Sequence, residues 1–357
     1  LKAIALTGSQ DVEFPNPKEL MEVGAELQNN VRESDGGKVR RKYGTPEMVK
    51  KINDPGFWST KNFTEGYFEE GKKLEGPKMR DAVVVSDASC YGCPVGCGKR
   101  TYVKTEKYGK MIMEGPEFET LGLIGANCGI SDWEYIMKAT DLCDKYGLDV
   151  MNAGGCVSLA MEAFEKGKIT TEDTNGVELN FGNGEALVKT IDMMVKREGI
   201  GEILTEGAKR AAEKLGVPGL AMESKGQVLA VYDPRGCKGM ALTYATSPKG
   251  AHHMIATTMG EELGYNTRLE NKDKGDLQRR HQFSMCICDS ISVCSTMRAG
   301  LKPDDLAKAF SVVTGIEKTY QDLEFCAERI INLERLYNVK MGFDRSNDTL
   351  PDRFLSE

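Results

Sequence analysis

Apolar residues recur at three- and four-residue intervals along most of this chain, the spacing at which one face of an α-helix meets a core. Asn16 ahead of Pro17 and Glu19 predicts a helix over 16–32, and Thr45, Pro46 and Glu47 open a short second one. Between them GGKVRRK reads as a solvated basic stretch. Ser131 with Glu134 three residues on predicts a capping box for the run Trp133, Ile136, Met137, Leu142 and Tyr146, which Gly147 stops. Further helices are expected over 152–166, 183–197, 201–215, 277–288, 303–313 and 319–337. Strand-like runs are few and short, at 82–85, 111–113 and 227–232. KITTEDTNG, from Lys168, reads as a surface loop.

The predicted fold class is therefore mainly α: multihelical, two packed helical domains with small β elements near a cysteine loop at residues 90–97. The Gly/Pro breaks between Gly216 and Gly226 place the boundary, giving helical domains over 13–222 and 223–357. The chain opens on Leu1 with a strand-like LKAIALTG, so residues 1–12 read as the end of something longer.

Composition narrows the function classes. With 357 residues, 40% hydrophobic and 28% charged, the chain suits a soluble globular protein of two or more domains. A net charge of -7 argues against a general nucleic-acid surface. Eleven cysteines without a signal peptide or a long apolar run point to a reducing, cytoplasmic setting and suggest no membrane role. In that setting clustered thiols are metal ligands or buried side chains rather than disulfides.

The cluster that matters is CYGCPVGCGK, residues 90–99, in which Cys90, Cys93 and Cys97 form a C-x2-C-x3-C array. Gly92, Gly96 and Gly98 remove side-chain bulk and Pro94 fixes the turn, so the loop can wrap one corner of a metal centre. Iron–sulfur ligation, structural zinc and inert buried thiols are the three readings. Zinc usually takes two separated Cys or His pairs, which this loop lacks. A fourth ligand must come from elsewhere, with Cys286, Cys288 and Cys294 as candidates that composition cannot separate. Cys128, Cys143, Cys156, Cys237 and Cys326 read as buried helix-face residues.

KNFTEGYFEEGKKLEG, CYGCPVGCGK, EGPEFETLGLIGANCGI, DKYGLD, YDPRGCKGMALTYATSPKGAHH and the closing INLERLYNV, GFDR and LPDRF together resemble, block by block, the tungsten-containing aldehyde ferredoxin oxidoreductases. That resemblance implies a 4Fe-4S cluster on Cys90, Cys93, Cys97 and Cys294. It implies a tungsten (or molybdenum) bis-pterin held by DKYGLD, through Asp144, Gly147, Leu148 and Asp149, and by DSISVC, through Asp289 and Val293. The second motif departs from the family by carrying Ser292 and Val293 in place of Gly and Leu, and Ser292 is strained if its φ is positive. Glu119 and His253 fall where the family keeps its acid–base pair, although Lys249 and His252 replace residues common there. Arg235 stands either in a pocket-lining, cofactor-binding turn or in a structural ion pair. The resemblance also makes residues 1–12 the remnant of an N-terminal pterin-binding domain, and no E-x-x-H motif predicts a bridging iron.

The implied activity is oxidation of a small aldehyde with water to a carboxylic acid, electrons passing through the cluster to ferredoxin. A carboxyl buried beside an apolar pocket has its pKa raised, which suits Glu119 to take a proton from the attacking water. Two alternatives stay open: an aromatic acyl-CoA reductase subunit on the same scaffold, and an iron–sulfur electron-transfer or assembly subunit without pterin catalysis. Lys99, Arg100, Lys104, Lys107 and Lys110 form either a docking patch for an acidic ferredoxin or a solvated basic hairpin. A homodimer is compatible with the sequence.

Overall fold

The computed structural model describes residues 4–355; residues 1–3 of the expected N-terminal remnant, and residues 356–357, lie outside it. Residues 4–12 are exposed coil rather than strand.

Helix α1 (Pro17–Glu33) starts where predicted, with the Asn16 side chain accepting the Glu19 N–H at 3.2 Å. The basic stretch after it is not solvated coil but a second helix, α2 (Asp35–Tyr43), capped by the Ser34 hydroxyl. Its glycines allow close approach. A Cβ on Gly37 would sit 2.0 Å from the Val31 carbonyl oxygen, and one on Gly36 would sit 2.7 Å from the Ala299 Cβ. A 3-10 turn (Thr45–Glu47) runs into α3 (Met48–Asn53), and α4 (Gly76–Ala82) follows.

Strands β1 (Val84–Ala88), β2 (Gly98–Thr105) and β3 (Gly109–Glu114) make an antiparallel sheet in that order. The cysteine loop is the connection between β1 and β2, so the sheet fixes both of its ends. Strand β2 was hidden in the sequence by its lysines and arginine, which alternate with Thr101 and Val103.

A short α5 (Phe118–Thr120) widens into a π turn at Leu121–Gly125. Helix α6 (Trp133–Tyr146) ends at Gly147 as expected, with φ +71°. Its cap, however, is Asp132, which accepts the Glu134 N–H at 2.8 Å, while the Ser131 hydroxyl turns away to Glu70. Helix α7 (Val150–Glu165) begins ahead of the predicted 152, because the Asp149 side chain caps it. Helix α8 (Gly184–Lys196) matches its predicted span; the single helix expected over 201–215 is instead α9 (Ile200–Leu204) and α10 (Ala208–Lys214), broken at Gly207 with φ +89°.

Strands β4 (Glu223–Ser224) and β5 (Gln227–Val228) are a minimal hairpin. The predicted strand over 227–232 stops at Val228, and its remainder is extended chain with Tyr232 bridged to Trp58. The rest is helical: α11 (Lys238–Thr246), α12 (Met259–Gly264), α13 (Lys274–Ser290), α14 (Pro303–Thr314) and α15 (Tyr320–Lys340).

One apolar cluster draws on residues from Met48 to Phe354, with α7 near its middle. Small residues let α7 sit there. A Cβ on Gly154 would fall 2.5 Å from the Leu123 carbonyl oxygen, and one on Gly155 would fall 2.5 Å from a Val228 methyl. A second, smaller cluster forms where α13, α14 and α15 meet, around Phe283, Ile287, Leu306 and Leu323. No helix among the described residues is long and apolar enough to cross a membrane.

Candidate functional site

Glu119 lies in the short α5, and its position is fixed from a strand-like segment far away in sequence. The Val231 N–H donates to Glu119 Oε2 at 3.1 Å, and Val231 in turn accepts from the Ser59 N–H at 2.8 Å. The other oxygen, Oε1, has no hydrogen-bond partner and stands 3.6 Å from His253 Nε2. Their side chains are 15% and 14% exposed. Phe118 and Tyr232 pack with ring centroids 5.5 Å apart, and Tyr232 lies 6.0 Å from the His253 ring, so the pair sits in aromatic surroundings.

That dryness sets the protonation states. Burial pushes the Glu119 carboxyl up to about 8, with the Val231 N–H as the opposing influence. Burial, followed by the charges of His252 and Lys249, pushes His253 down to about 3. At neutral pH the two therefore meet as a carboxylic acid and a neutral imidazole, not as an ion pair.

The two sequence motifs form matching turns. After α6, Gly147 takes φ +71° and the Leu148 N–H bonds the Cys143 carbonyl at 2.9 Å. After α13, Ser292 takes φ +59° and the Val293 N–H bonds the Cys288 carbonyl at 2.8 Å. Both are helix ends with a left-handed residue and a six-to-one bond. Ser292 thus keeps the backbone shape of a glycine, at a cost of about 1–2 kcal/mol for a residue with a Cβ. Asp149 and Cys294 then occupy equivalent places, each starting the next helical turn.

His252 connects these turns electrostatically. Its pKa is lowered by burial first and by Lys249, while Asp149 and Asp289 both act to raise it. The motif aspartates of two distant segments thus lie within reach of the His252–His253 doublet. Asp144 is held up by burial and by the charges of Asp141 and Glu114. Arg235 makes an ion pair: Nε and one terminal nitrogen bond the buried Asp233 at 3.0 and 2.6 Å, and that same nitrogen reaches the Phe63 carbonyl at 2.6 Å.

Of the cysteines, Cys90 and Cys294 are exposed and Cys93 and Cys97 half-buried. Burial raises the Cys97 thiol, and the charges of Glu117, Cys294 and Cys93 raise it further, so Cys93 and Cys294 lie within electrostatic range of Cys97. Cys288 is fully buried, and Cys286 faces the Ala327 carbonyl at 4.0 Å, so neither shares the exposure of Cys294. Cys326, expected to be buried, is exposed on α15. That helix buries little more than Leu323 and Ala327, so its apolar periodicity overstated its core face.

Among the described residues no three His, Cys, Asp or Glu side chains stand close enough to hold one ion. A zinc cage, with bonds of about 2.3 Å, needs that convergence. A cubane cluster is bound at its corners by thiolates set farther apart; Cys93 and Cys294 lie close enough to act on the Cys97 thiol, and the Cys93 N–H bonds the Cys90 carbonyl at 3.2 Å, which is the donor set such a group would take. For a pterin, the fit rests on buried polar atoms without partners, Glu119 Oε1, His252 Nδ1 and His253 Nδ1, and on the two motif turns.

Sequence reasoning missed several contributors. Glu117 is fastened by the Thr45 hydroxyl and pushed up by burial, its charge acts on the Cys97 thiol, and it stands two residues from Glu119. Arg41 and Lys99 grip the cysteine loop from behind. The docking patch loses members: Lys99 is 2% exposed and Lys107 pairs with Glu185, which leaves Arg100, Lys104 and Lys110 on the hairpin. No local signal marks Val231 or Thr45, since each acts across a long stretch of chain.

Comparison with known proteins bears on this arrangement. The family described as "Aldehyde ferredoxin oxidoreductase, domains 2 & 3" matches residues 22–357. The chain is 37% identical to the tungsten-containing aldehyde ferredoxin oxidoreductase of Pyrococcus furiosus over 365 positions, covering 100% of this chain and 60% of that protein. It is 35% identical to the protein of that name from Thermococcus kodakarensis, with the same coverage of 100% and 60%. A Pyrococcus furiosus "aliphatic sulfonate oxidoreductase, WOR-like subunit" is 30% identical over 74% of the chain and 42% of its own length. The fold is shared with the active site complex BamBC of benzoyl coenzyme A reductase, solved with 1,5-dienoyl-CoA: TM-score 0.74 and 19% identity over 97% of this chain and 60% of that one. The chain thus spans 60% of the length of the aldehyde ferredoxin oxidoreductases it matches.

Proposed function

The chain belongs to the aldehyde ferredoxin oxidoreductase family, and from that premise we propose that it is the helical part of an enzyme that oxidises a small aldehyde with water to a carboxylic acid. The overall change is RCHO + H2O → RCOOH + 2 e⁻ + 2 H⁺, with two electrons leaving one at a time to ferredoxin. A tungsten (or molybdenum) bis-pterin, when bound, supplies the two-electron acceptor, and a 4Fe-4S cluster supplies the one-electron exit.

The observation that carries this reading is the buried Glu119–His253 pair, 3.6 Å apart and short of partners. In its ionised form, a minority at neutral pH that grows toward pH 8, Glu119 takes a proton from water as the water adds to the aldehyde carbonyl. His253 stays neutral, so its ring nitrogens orient a polar group without adding charge. Phe118 and Tyr232 keep bulk water from the pair. The motif turns at residues 144–149 and 289–294 would hold the pterins, and Cys90, Cys93, Cys97 and Cys294 the cluster. Arg100, Lys104 and Lys110, beside the cluster loop, would receive an acidic ferredoxin.

The test is metal and cofactor analysis of the full-length protein purified without oxygen, followed by assays with aldehydes and with aromatic acyl-CoA thioesters. Tungsten or molybdenum with about four irons per chain and ferredoxin-linked aldehyde oxidation support the proposal. Iron without pterin would favour an electron-transfer subunit, and turnover of the thioester alone would reassign the reaction.

A further inference from the structure

Lys99 is one of the few lysines buried in the described residues, 2% exposed, and its ammonium is not directed at a lone carboxylate. Nζ donates to the carbonyls of Gly96, Cys97 and Gly98 at 3.3, 3.1 and 3.0 Å. Asp87 Oδ1, itself bound by Arg80 at 2.8 Å, lies 3.3 Å away. Three donors thus bridge consecutive carbonyls of the chain around Cys97, turning a glycine-rich segment into a closed cup.

A second cation grips the other half of the loop. Arg41, on α2, donates to the Pro94 carbonyl at 2.7 Å and to the Val95 carbonyl at 3.3 Å. The helix end is packed there as well, because a Cβ on Gly44 would fall 2.9 Å from the Cys97 carbonyl oxygen. Every carbonyl from residue 94 to residue 98 therefore accepts from one of two cations, which fixes the backbone on both sides of Val95 and through Cys97.

Desolvated ammonium is costly to bury unless it performs such work, since each unsatisfied charge loses several kcal/mol. Here Asp87 is shared between Arg80 and Lys99, and the Lys99 charge also acts on Glu117, so the ammonium is held among carbonyl dipoles and carboxylates beside the loop. Resting on the iron–sulfur reading given above, we infer that Lys99 is a positioning residue for the cluster: it holds the Gly96–Gly98 backbone in its ligating shape and favours the reduced, more negative state of the bound centre. Arg41 fixes the preceding turn in the same way.

The experiment compares full-length wild type, Lys99→Met and Lys99→Arg. In cluster-free protein, alkylation of Cys97 relative to the exposed Cys326, read by mass spectrometry, rises severalfold in Lys99→Met and returns toward wild type in Lys99→Arg. In loaded protein, an EPR-monitored redox titration gives a lower midpoint potential for Lys99→Met than for Lys99→Arg. Unchanged alkylation, or a cluster whose potential is the same in Lys99→Met, overturns the inference. Should Lys99→Met not fold, Lys99→Gln and Arg41→Met carry the same comparison with the same outcomes. A wild type that takes up no iron would sink the proposed function and the charge effect together, while the alkylation ratio would still decide the role in loop shape.

Discussion

Replacing Glu119 by Gln should make this protein more stable, and increasingly so as pH rises. The folded carboxyl is pushed from 4.5 to about 8 by burial. The unfolded chain thus loses its proton above pH 4.5 while the folded one retains it. A group whose folded pKa is raised is bound more tightly to its proton in the native state, so wild-type stability falls as pH climbs from 4.5 to about 8. At ~1.36 kcal/mol per pH unit the penalty is about 1 kcal/mol at pH 5, about 3 at pH 7 and close to 5 above pH 8. Glutamine keeps an acceptor for the Val231 N–H and carries no ionisation. Its amide adds a constant offset, but the stability difference between variant and wild type should trace that curve. His253, whose folded pKa is depressed to about 3, loses stability in the opposite direction as pH falls below 6.5, and it cancels because both proteins carry it. Urea unfolding of cofactor-free protein by circular dichroism between pH 5 and 8.5 measures the difference. A gap that does not change with pH would show that Glu119 is not held as a buried acid, and the base role would lose its physical ground.

Four further outcomes follow from the same geometry. Cys294→Ser should lose most bound iron after anaerobic reconstitution, whereas Cys326→Ser should retain it, because Cys294 lies within electrostatic range of Cys97 and Cys326 is exposed on α15. Gly122→Ala brings a methyl to within 2.1 Å of the Val231 side chain. It should cost about 1–3 kcal/mol in urea unfolding and, by shifting the Val231 N–H, move the Glu119 titration above about 8. Arg353→Ala removes the 2.6 Å partner of the buried Glu162, which keeps Lys166 at 2.7 Å and Asn62 at 2.6 Å, and should cost about 1.5–3 kcal/mol by the same measurement. Lys104→Glu with Lys110→Glu should slow ferredoxin reduction at least tenfold at low salt and little at high salt, while a rate equal to wild type at both would remove the docking face.

The helices were legible wherever an apolar stripe coincided with a cap. Asn16, Asn183 and Thr319 each start a helix where the sequence places it, because capping is a bond between near neighbours. Errors came where a local signal had a distant partner. The stretch holding Gly36 and Gly37 read as solvated rather than helical because Gly36 meets Ala299 far along the chain, and Ser131 read as a cap because Glu70 is invisible from its neighbourhood. Lysine 99 read as solvent-facing for the same reason: charge predicts exposure until a ring of carbonyls is built around it.

By itself the sequence determined a mainly helical chain, the C-x2-C-x3-C loop and the two helix-end motifs, since spacing, periodicity and turn chemistry are properties of short segments. Tertiary structure alone decided what those pieces do together. Packing brings Cys294 within electrostatic range of Cys97, brings Glu119 within 3.6 Å of His253 under the Val231 N–H, and sets Arg41 on the Pro94 and Val95 carbonyls. These relations span up to about two hundred residues, and their energies come from desolvation, which depends on what surrounds a group rather than on what precedes it.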